Sequence, residues 1–403
     1  MIDWKKTQYK KILISTIAIG IVLRIVAVGV IGISNQNTWE YGTIAKNLAN
    51  DKGYSFYYFE GNNIESEFNI KKTPAPSAYM APGYVLTLYV FEIISSDELF
   101  KPLVTLFNLL IFIITILLLF NFTSWLTNEK TALFSVLIYS FVPEFIYTTY
   151  SLGATQIYHF FIISIFYTAL VHKSKNSIYL AILFGIAILF RFELILLLVL
   201  FVGYYIYKKS YTKSTLLIII PILFLSPWVI RNYIVFDEFI PTSTTGGLNL
   251  FRGNNDVIIG GWHNFETLEK VRSYDGDEDM IELYLNQMYM EEAVRYINED
   301  YLRTATNFTK KFFYFWILNP NEDESNNIIY FVPWFLLLSL SIIGLYRNRK
   351  KNNKLVLLYL SYHSILAVIF IPLLRYQTMM KILLLPYAAY GMYLLLKTNK
   401  KDS

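Results

Sequence analysis

The chain contains no cysteine. That excludes disulfide staples, thiolate zinc sites, iron–sulfur ligation and a cysteine nucleophile. Histidine is scarce, four in 403 residues, which leaves little for a His-based metal centre. Charge is scarce too: 16% of residues are Asp, Glu, Lys or Arg, against about 25% in an average soluble chain. With 55% hydrophobic residues and a mean hydropathy of +0.41, a single soluble domain is excluded. Intrinsic disorder is excluded as well, since it needs low hydrophobicity and high charge. No internal repeat and no long disordered linker interrupt the chain. The net charge of +5 gives no indication of nucleic-acid binding. What is abundant is Tyr (33) and Phe (31), suited to membrane-interface belts and to contacts with ring-shaped ligands.

A bilayer core takes about 20 apolar residues per helix. Spans are expected at 12–33, 102–122, 130–149, 155–171, 177–191, 193–208, 214–233, 330–346, 354–372 and 377–396. The first is too long for a signal-peptide core and lacks a small-residue cleavage site, so it is expected to be an uncleaved anchor. Basic clusters at Lys5/Lys6/Lys10/Lys11, His172–Lys175, Lys208/Lys209/Lys213, Arg347–Lys351 with Lys354, and Lys397/Lys400/Lys401 are expected in the cytoplasm. Residues 234–329 carry 17 acidic and 7 basic residues, which marks an outside segment. Residues 83–96 are apolar but short and contain Glu92. A span there would break the charge pattern, so an interfacial helix is expected. The expectation is an all-α polytopic membrane protein of about ten transmembrane helices, with both termini cytoplasmic. Its first outer loop (34–101) carries interfacial helices, and it has a mainly helical extracytoplasmic cap. Three units follow: 1–233, 234–329 and 330–403. Helical patterns run from about Met280 to Ile297 and from about Tyr301 to Phe315, each with one apolar face.

Candidate functional residues gather at the outer face of this scheme. Arg24 lies halfway along the first span, where charge is costly and either pairs with a bundle carboxylate or serves function. Arg191 and Glu193 stand at an outer turn between spans. Glu40 lies a few residues beyond the first span, where a carboxylate can take a proton from an acceptor arriving from outside. Arg231, flanked by Trp228 and Tyr233, reaches the outer interface, as does Arg375 before Tyr376; a guanidinium there can hold a lipid phosphate through paired hydrogen bonds. The runs around Gly246-Gly247 and Asn254-Asn255 offer backbone N–H groups and small amides suited to sugar hydroxyls or phosphate oxygens. The Asp275–Asp279 run has only the outline of a calcium loop. Asn286 stands where the bidentate Glu belongs, so a solvated acidic loop is expected.

An ordered set of motifs carries a resemblance over nearly the whole chain. Trp39-Glu40-Tyr41-Gly42, with Ile44, Ala45, Asn47 and Leu48, is followed by Gly53-Tyr54-Ser55 and Pro82-Gly83-Tyr84. Then come Pro227-Trp228, Ile230-Arg231-Asn232-Tyr233, the 246–255 run and Arg375-Tyr376. The set resembles the C-type (GT-C) membrane glycosyltransferases. More narrowly it is similar to the dolichyl-phosphate-mannose protein mannosyltransferase and aminoarabinose lipid A transferase group. The resemblance implies transfer of a sugar from a polyprenyl-phosphate carrier to an acceptor (protein, lipid or glycan) at the extracytoplasmic face of the plasma membrane, with inversion. It implies a carboxylate in the first outer loop, in an Asp-Glu-x-x-Tyr-like pattern whose tyrosine matches Tyr41. Asn37 occupies the Asp position and Thr38 the Glu position, so Glu40 is the nearest carboxylate and Glu144 another. A lysine before the proline turn is replaced by Tyr79 and Met80. Donor-phosphate binding then falls to Tyr41, Arg231, Arg375 and Tyr376. Asn37, Tyr84, Asn232, Gly246, Gly247, Asn254 and Asn255 form the substrate loops, and Arg24, Glu144, Arg191 and Glu193 are supporting charges. Some relatives use a divalent metal, but no Asp-x-Asp stands near the first span, so no cofactor or metal is expected. Two other classes fit the same outer charges: a transporter or flippase of an anionic or lipid-linked glycan, and a non-catalytic relative.

Overall fold

The computed structural model describes residues 7–60, 63–171, 177–261, 274, 276–348 and 353–398. The first helix, α1 (Thr7–Ile31), is apolar almost all round and leaves Ile14, Ile19, Val22, Ile25 and Val26 exposed, as a lipid-facing helix does. The first outer segment follows, with α2 (Trp39–Ala49), a short antiparallel hairpin of β1 (Tyr58–Glu60) and β2 (Asn63–Glu65), and α3 (Pro82–Ile94). Tyr58 pairs with Glu65 and Phe59 with Ile64, so this otherwise helical chain carries one small sheet.

A central bundle comes next: α4 (Asp97–Leu126), α5 (Glu129–Phe141), α6 (Pro143–Tyr150), α7 (Thr155–Val171), α8 (Ser177–Phe190), α9 (Leu194–Tyr207) and α10 (Tyr211–Phe236). Asn128 caps α5 by accepting from the Thr131 N–H. Pro143 begins α6, and Asp237 in a left-handed conformation ends α10. Beyond it lie α11 (Gly246–Gly253), α12 (Ile281–Glu299) and α13 (Tyr301–Trp316). The last group is α14 (Ile328–Arg347), α15 (Lys354–Ile369), α16 (Leu374–Lys381) and α17 (Leu385–Thr398). In this last group α14 packs along α17, and α17 returns to α5. Gly344 and Gly391 make the α14–α17 approach: a Cβ at Gly344 would lie 1.9 Å from the Tyr387 carbonyl oxygen.

The chain is a multi-pass membrane protein. Four helices are long and apolar enough to cross a bilayer: α1, α4, α10 and α14. Two bent pairs, α5 with α6 (57°) and α16 with α17 (64°), raise that to six. The expected spans at 155–171, 177–191, 193–208 and 354–372 appear as α7, α8, α9 and α15. At 14 to 17 residues these are shorter than the roughly 20 a bilayer core takes. The expected ten therefore divides into six of spanning length and four shorter apolar helices. The segment expected to be interfacial is α3. Of the basic clusters that orient the chain, Lys5, Lys6, His172–Lys175, Arg349–Lys351, Lys400 and Lys401 lie outside the described residues, as does Asp275 of the acidic run.

Arg24 explains the α5–α6 break. In a continuous helix the Tyr139 carbonyl would accept from residue 143, but Pro143 has no N–H to give. Arg24 supplies the missing donors. Its Nη2 donates to the carbonyls of Tyr139 (3.2 Å) and Phe145 (3.0 Å), and its Nη1 to those of Ser140 and Gly20 (both 3.1 Å). Its Nε donates to the Thr149 hydroxyl (3.1 Å), and the guanidinium lies 3.6 Å from the Phe112 ring centroid. The expected carboxylate partner is replaced by four carbonyls. Irregular backbone is tolerated at membrane depth where its polar groups are satisfied inside the protein, and Arg24, 1% exposed, meets that condition.

Candidate active site

The start of α2 is built to present Glu40. Asn37 Oδ1 accepts from the Trp39 N–H (2.7 Å), and Trp39 takes a left-handed φ of 56°, a conformation that costs a bulky residue energy. One turn on, a Cβ at Gly42 would lie 1.8 Å from Thr38 Oγ1, so no larger residue fits. Glu40 is half-buried in the first turn, a position the helix dipole favours for an acid. Among the described residues it has no ion pair or hydrogen bond of its own. Its neighbour Tyr41 is buried against Tyr84 in a T-shaped contact at 5.2 Å, and the Tyr84 hydroxyl donates to the Leu152 carbonyl (2.8 Å).

The Tyr41 hydroxyl marks where charges converge. Burial raises its pKa, and Arg191, Glu193, Glu40 and Arg375 all act on it. Arg191 donates through Nε to Glu193 Oε1 (2.6 Å) and approaches Met379 Sδ at 3.7 Å. Two guanidinium groups lie near the ring of Tyr376, Arg375 at 5.3 Å and Arg191 at 6.0 Å from its centroid. Arg375 is exposed, with Tyr376, Arg191 and Glu40 in its electrostatic surroundings. The start of α2, the α8–α9 turn and the start of α16 thus bring two carboxylates, Glu40 and the Arg191-paired Glu193, into electrostatic range of two guanidinium groups.

Arg231 stands further off. Its Nη1 donates to the Ser77 carbonyl (2.5 Å) and Asn232 Oδ1 (3.0 Å), and its Nη2 to the Tyr54 carbonyl (2.9 Å). It also lies over the rings of Tyr54, Trp228 and Phe236. Arg231 and Tyr41 both act on the Tyr54 hydroxyl. Glu144 is in a buried ion pair, 2.7 Å from Lys381 Nζ, and accepts from the Thr378 hydroxyl. Lys381 also donates to the Tyr330 hydroxyl (3.0 Å).

Residues 80–230 match the family model of the dolichyl-phosphate-mannose-protein mannosyltransferases. Two solved structures align over 98% of this chain, both of oligosaccharyltransferases from Archaeoglobus fulgidus. The archaeal oligosaccharyltransferase AglB, in complex with an inhibitory peptide and a dolichol-phosphate, aligns with a TM-score of 0.59 at 13% identity, over 51% of its length. The enzyme tethered by a disulfide bond to an acceptor peptide containing the NVT sequon aligns at 0.55 and 12%, over 50% of its length. The fold is of the GT-C type. This chain spans about half the length of those two. No curated protein matches it.

Within this GT-C fold, the Gly- and Asn-rich segments face inward and do not offer exposed N–H groups. Gly247 lets α11 press on α12: a Cβ there would lie 1.9 Å from the Asn286 carbonyl oxygen, and the Gly247 N–H donates to Asn286 Oδ1 (2.7 Å). Next to it, Gly246 has room for a Cβ. Asn254 Nδ2 donates to the carbonyls of Leu250 and Ile369 (both 2.8 Å). Asn255 closes its own turn by accepting from the N–H groups of Val257 and Ile258. Asn232 Nδ2 donates to the Ile240 carbonyl.

Three buried ionisable groups escaped the sequence reading. Glu282 joins the two outer segments, accepting from the Ala78 N–H (2.8 Å) and the Thr244 hydroxyl (2.7 Å) beside a small cavity lined by Tyr57, Tyr79, Asn286 and Tyr289. Burial pushes its carboxyl up to about 7. Burial likewise lowers Lys311 to about 7 and raises Glu322 to about 7. Their only sequence signal was a charge inside an amphipathic or acidic stretch, which solvated charges share. Among the described residues no group of three or more His, Asp or Glu stands where it would hold a metal ion.

Proposed function

We propose that this protein transfers a sugar from a polyprenyl-phosphate carrier to an acceptor at the extracytoplasmic face of the membrane, with inversion. The observation that carries this is the meeting of unpaired Glu40 with Arg191 and Arg375 around Tyr41 and Tyr376, in a GT-C fold. The acceptor hydroxyl gives its proton to Glu40 as its oxygen attacks the anomeric carbon. The carbon–oxygen bond to the carrier phosphate breaks, and the phosphate leaves with the electron pair. Arg375 and Arg191 stabilise the charge that develops on it. Tyr376 holds the two guanidinium groups apart, and Tyr41 with Tyr84 forms the floor. Arg231 supports the site by tying Tyr54 and Ser77 to α10. The solved relatives contain a dolichol-phosphate and peptides, which supports a lipid-phosphate donor here.

The test is incubation of the purified protein with a panel of radiolabelled polyprenyl-phosphate sugars, reading carrier turnover for wild type and Glu40→Gln. Turnover by wild type and its loss in the variant is expected. Equal turnover in both rejects Glu40 as base. No turnover with any donor favours a transporter or a non-catalytic relative.

A further inference from the structure

Arg375 is the second residue of α16, and its position depends on the turn 370–373 that leads there from α15. Lys311 Nζ, fully buried, donates to the carbonyls of Ile369 (3.3 Å) and Phe370 (3.0 Å) at the end of α15. It also donates to the Gly253 carbonyl (3.1 Å) and Asn254 Oδ1 (3.2 Å) at the end of α11. Two helix C-termini, each carrying partial negative charge, converge on one ammonium. The approach is tight, since a Cβ at Gly253 would lie 1.8 Å from the Phe370 carbonyl oxygen. On the far side of the turn, Glu322 Oε2 accepts from the Leu374 N–H (3.2 Å), a free donor at the first residue of α16. A cation thus fixes where α15 stops and a carboxylate fixes where α16 starts.

We propose that Lys311 and Glu322 are positioning residues for Arg375, clamping the 370–373 turn from both ends so that the guanidinium stays in electrostatic range of Arg191 and Glu40. This rests on Arg375 as a ligand of the donor phosphate. Lys311 bonds main chain and Asn254, so its effect on Arg375 passes through the backbone; Glu322 also acts on Arg375 electrostatically. Each clamp is a charge-assisted bond to main chain, and loss of either lets the turn shift.

The test uses the full chain in lipid nanodiscs, undecaprenyl phosphate as the probe, and hydrogen exchange over residues 370–376. Lys311→Met, which removes four hydrogen bonds, and Glu322→Ala, which removes one to main chain, are each expected to weaken phosphate binding about tenfold or more and to speed exchange in that segment. Glu322→Gln, whose amide oxygen still accepts from Leu374, is expected to retain both. In the Arg375→Ala background, Lys311→Met is expected to weaken binding no further, because the arginine it positions is gone. Additive losses, or unchanged exchange in Glu322→Ala, overturn the proposal. If Arg375→Ala binds the probe as wild type does, the donor-site assignment fails, while the exchange data still decide whether the clamp exists.

Discussion

Arg24 and Arg375 have opposite environments: Arg24 is 1% exposed, and Arg375 is exposed among charged groups. Every N–H of Arg24 is engaged, four by carbonyls, and water does not reach it. Arg375 lies beside Tyr376, with Arg191 and the Glu40 carboxylate within electrostatic reach. An intramembrane charge is therefore not in itself a sign of chemistry. A guanidinium fully matched by carbonyls holds backbone together, whereas Arg375 is exposed and has another guanidinium, Arg191, and a carboxylate, Glu40, in its electrostatic surroundings.

The largest test of this contrast is Arg24→Met. It leaves several buried carbonyls without donors, at about 1–3 kcal/mol each. The variant is expected not to accumulate as a monodisperse protein on size exclusion. A wild-type profile and melting curve would mean the α5–α6 break stands without Arg24. Next comes Glu40→Gln, expected to lower turnover by about 10²–10⁴ while the melting temperature stays unchanged. A matching fall in melting temperature would move Glu40 to the structural class of Arg24.

The Glu144–Lys381 pair is an intermediate case, charged and buried yet fully matched. Lys381→Met alone is expected to cost about 3–5 kcal/mol, because it strands Glu144, and adding Glu144→Gln should restore most of it in a denaturation double-mutant cycle. Additive losses would show that the two residues act independently. The smallest effect is expected at Glu282. Its folded pKa, about 7, is raised from 4.5. Its protonation therefore stabilises the fold fully below pH 4.5, and that contribution is lost as pH rises through about 7. Wild type should lose up to about 3 kcal/mol across that window relative to Glu282→Gln in melts at stepped pH. Parallel curves would mean that Glu282 titrates normally.

Helix positions were legible from apolar runs alone, because a bilayer demands continuous hydrophobicity whatever packs against it. The amphipathic patterns at 280–297 and 301–315 became α12 and α13. Which way α13 faces was not legible. Its polar residues Thr304, Asn307 and Lys311 are buried, while Leu302, Phe312 and Phe313 are exposed. The partners of Lys311 are carbonyls at the ends of distant helices, and carbonyls leave no mark in a sequence. For the same reason Gly247, Gly253 and Asn254 read as open loop but serve close packing.

Composition and periodicity settled that this is a helical membrane chain, and the Trp39–Tyr41 and Arg375-Tyr376 motifs picked out residues that the fold brings into electrostatic range of one another. Those signals survive in one dimension because they depend on residue type and local spacing. The bend at Pro143 closed by Arg24, the occupied donors of Arg231 and the clamp on the Arg375 turn were decided by the tertiary structure. Each is a hydrogen bond between a side chain and backbone remote from it in sequence, and the folded path of the chain sets which carbonyl lies within 3 Å or so of which nitrogen.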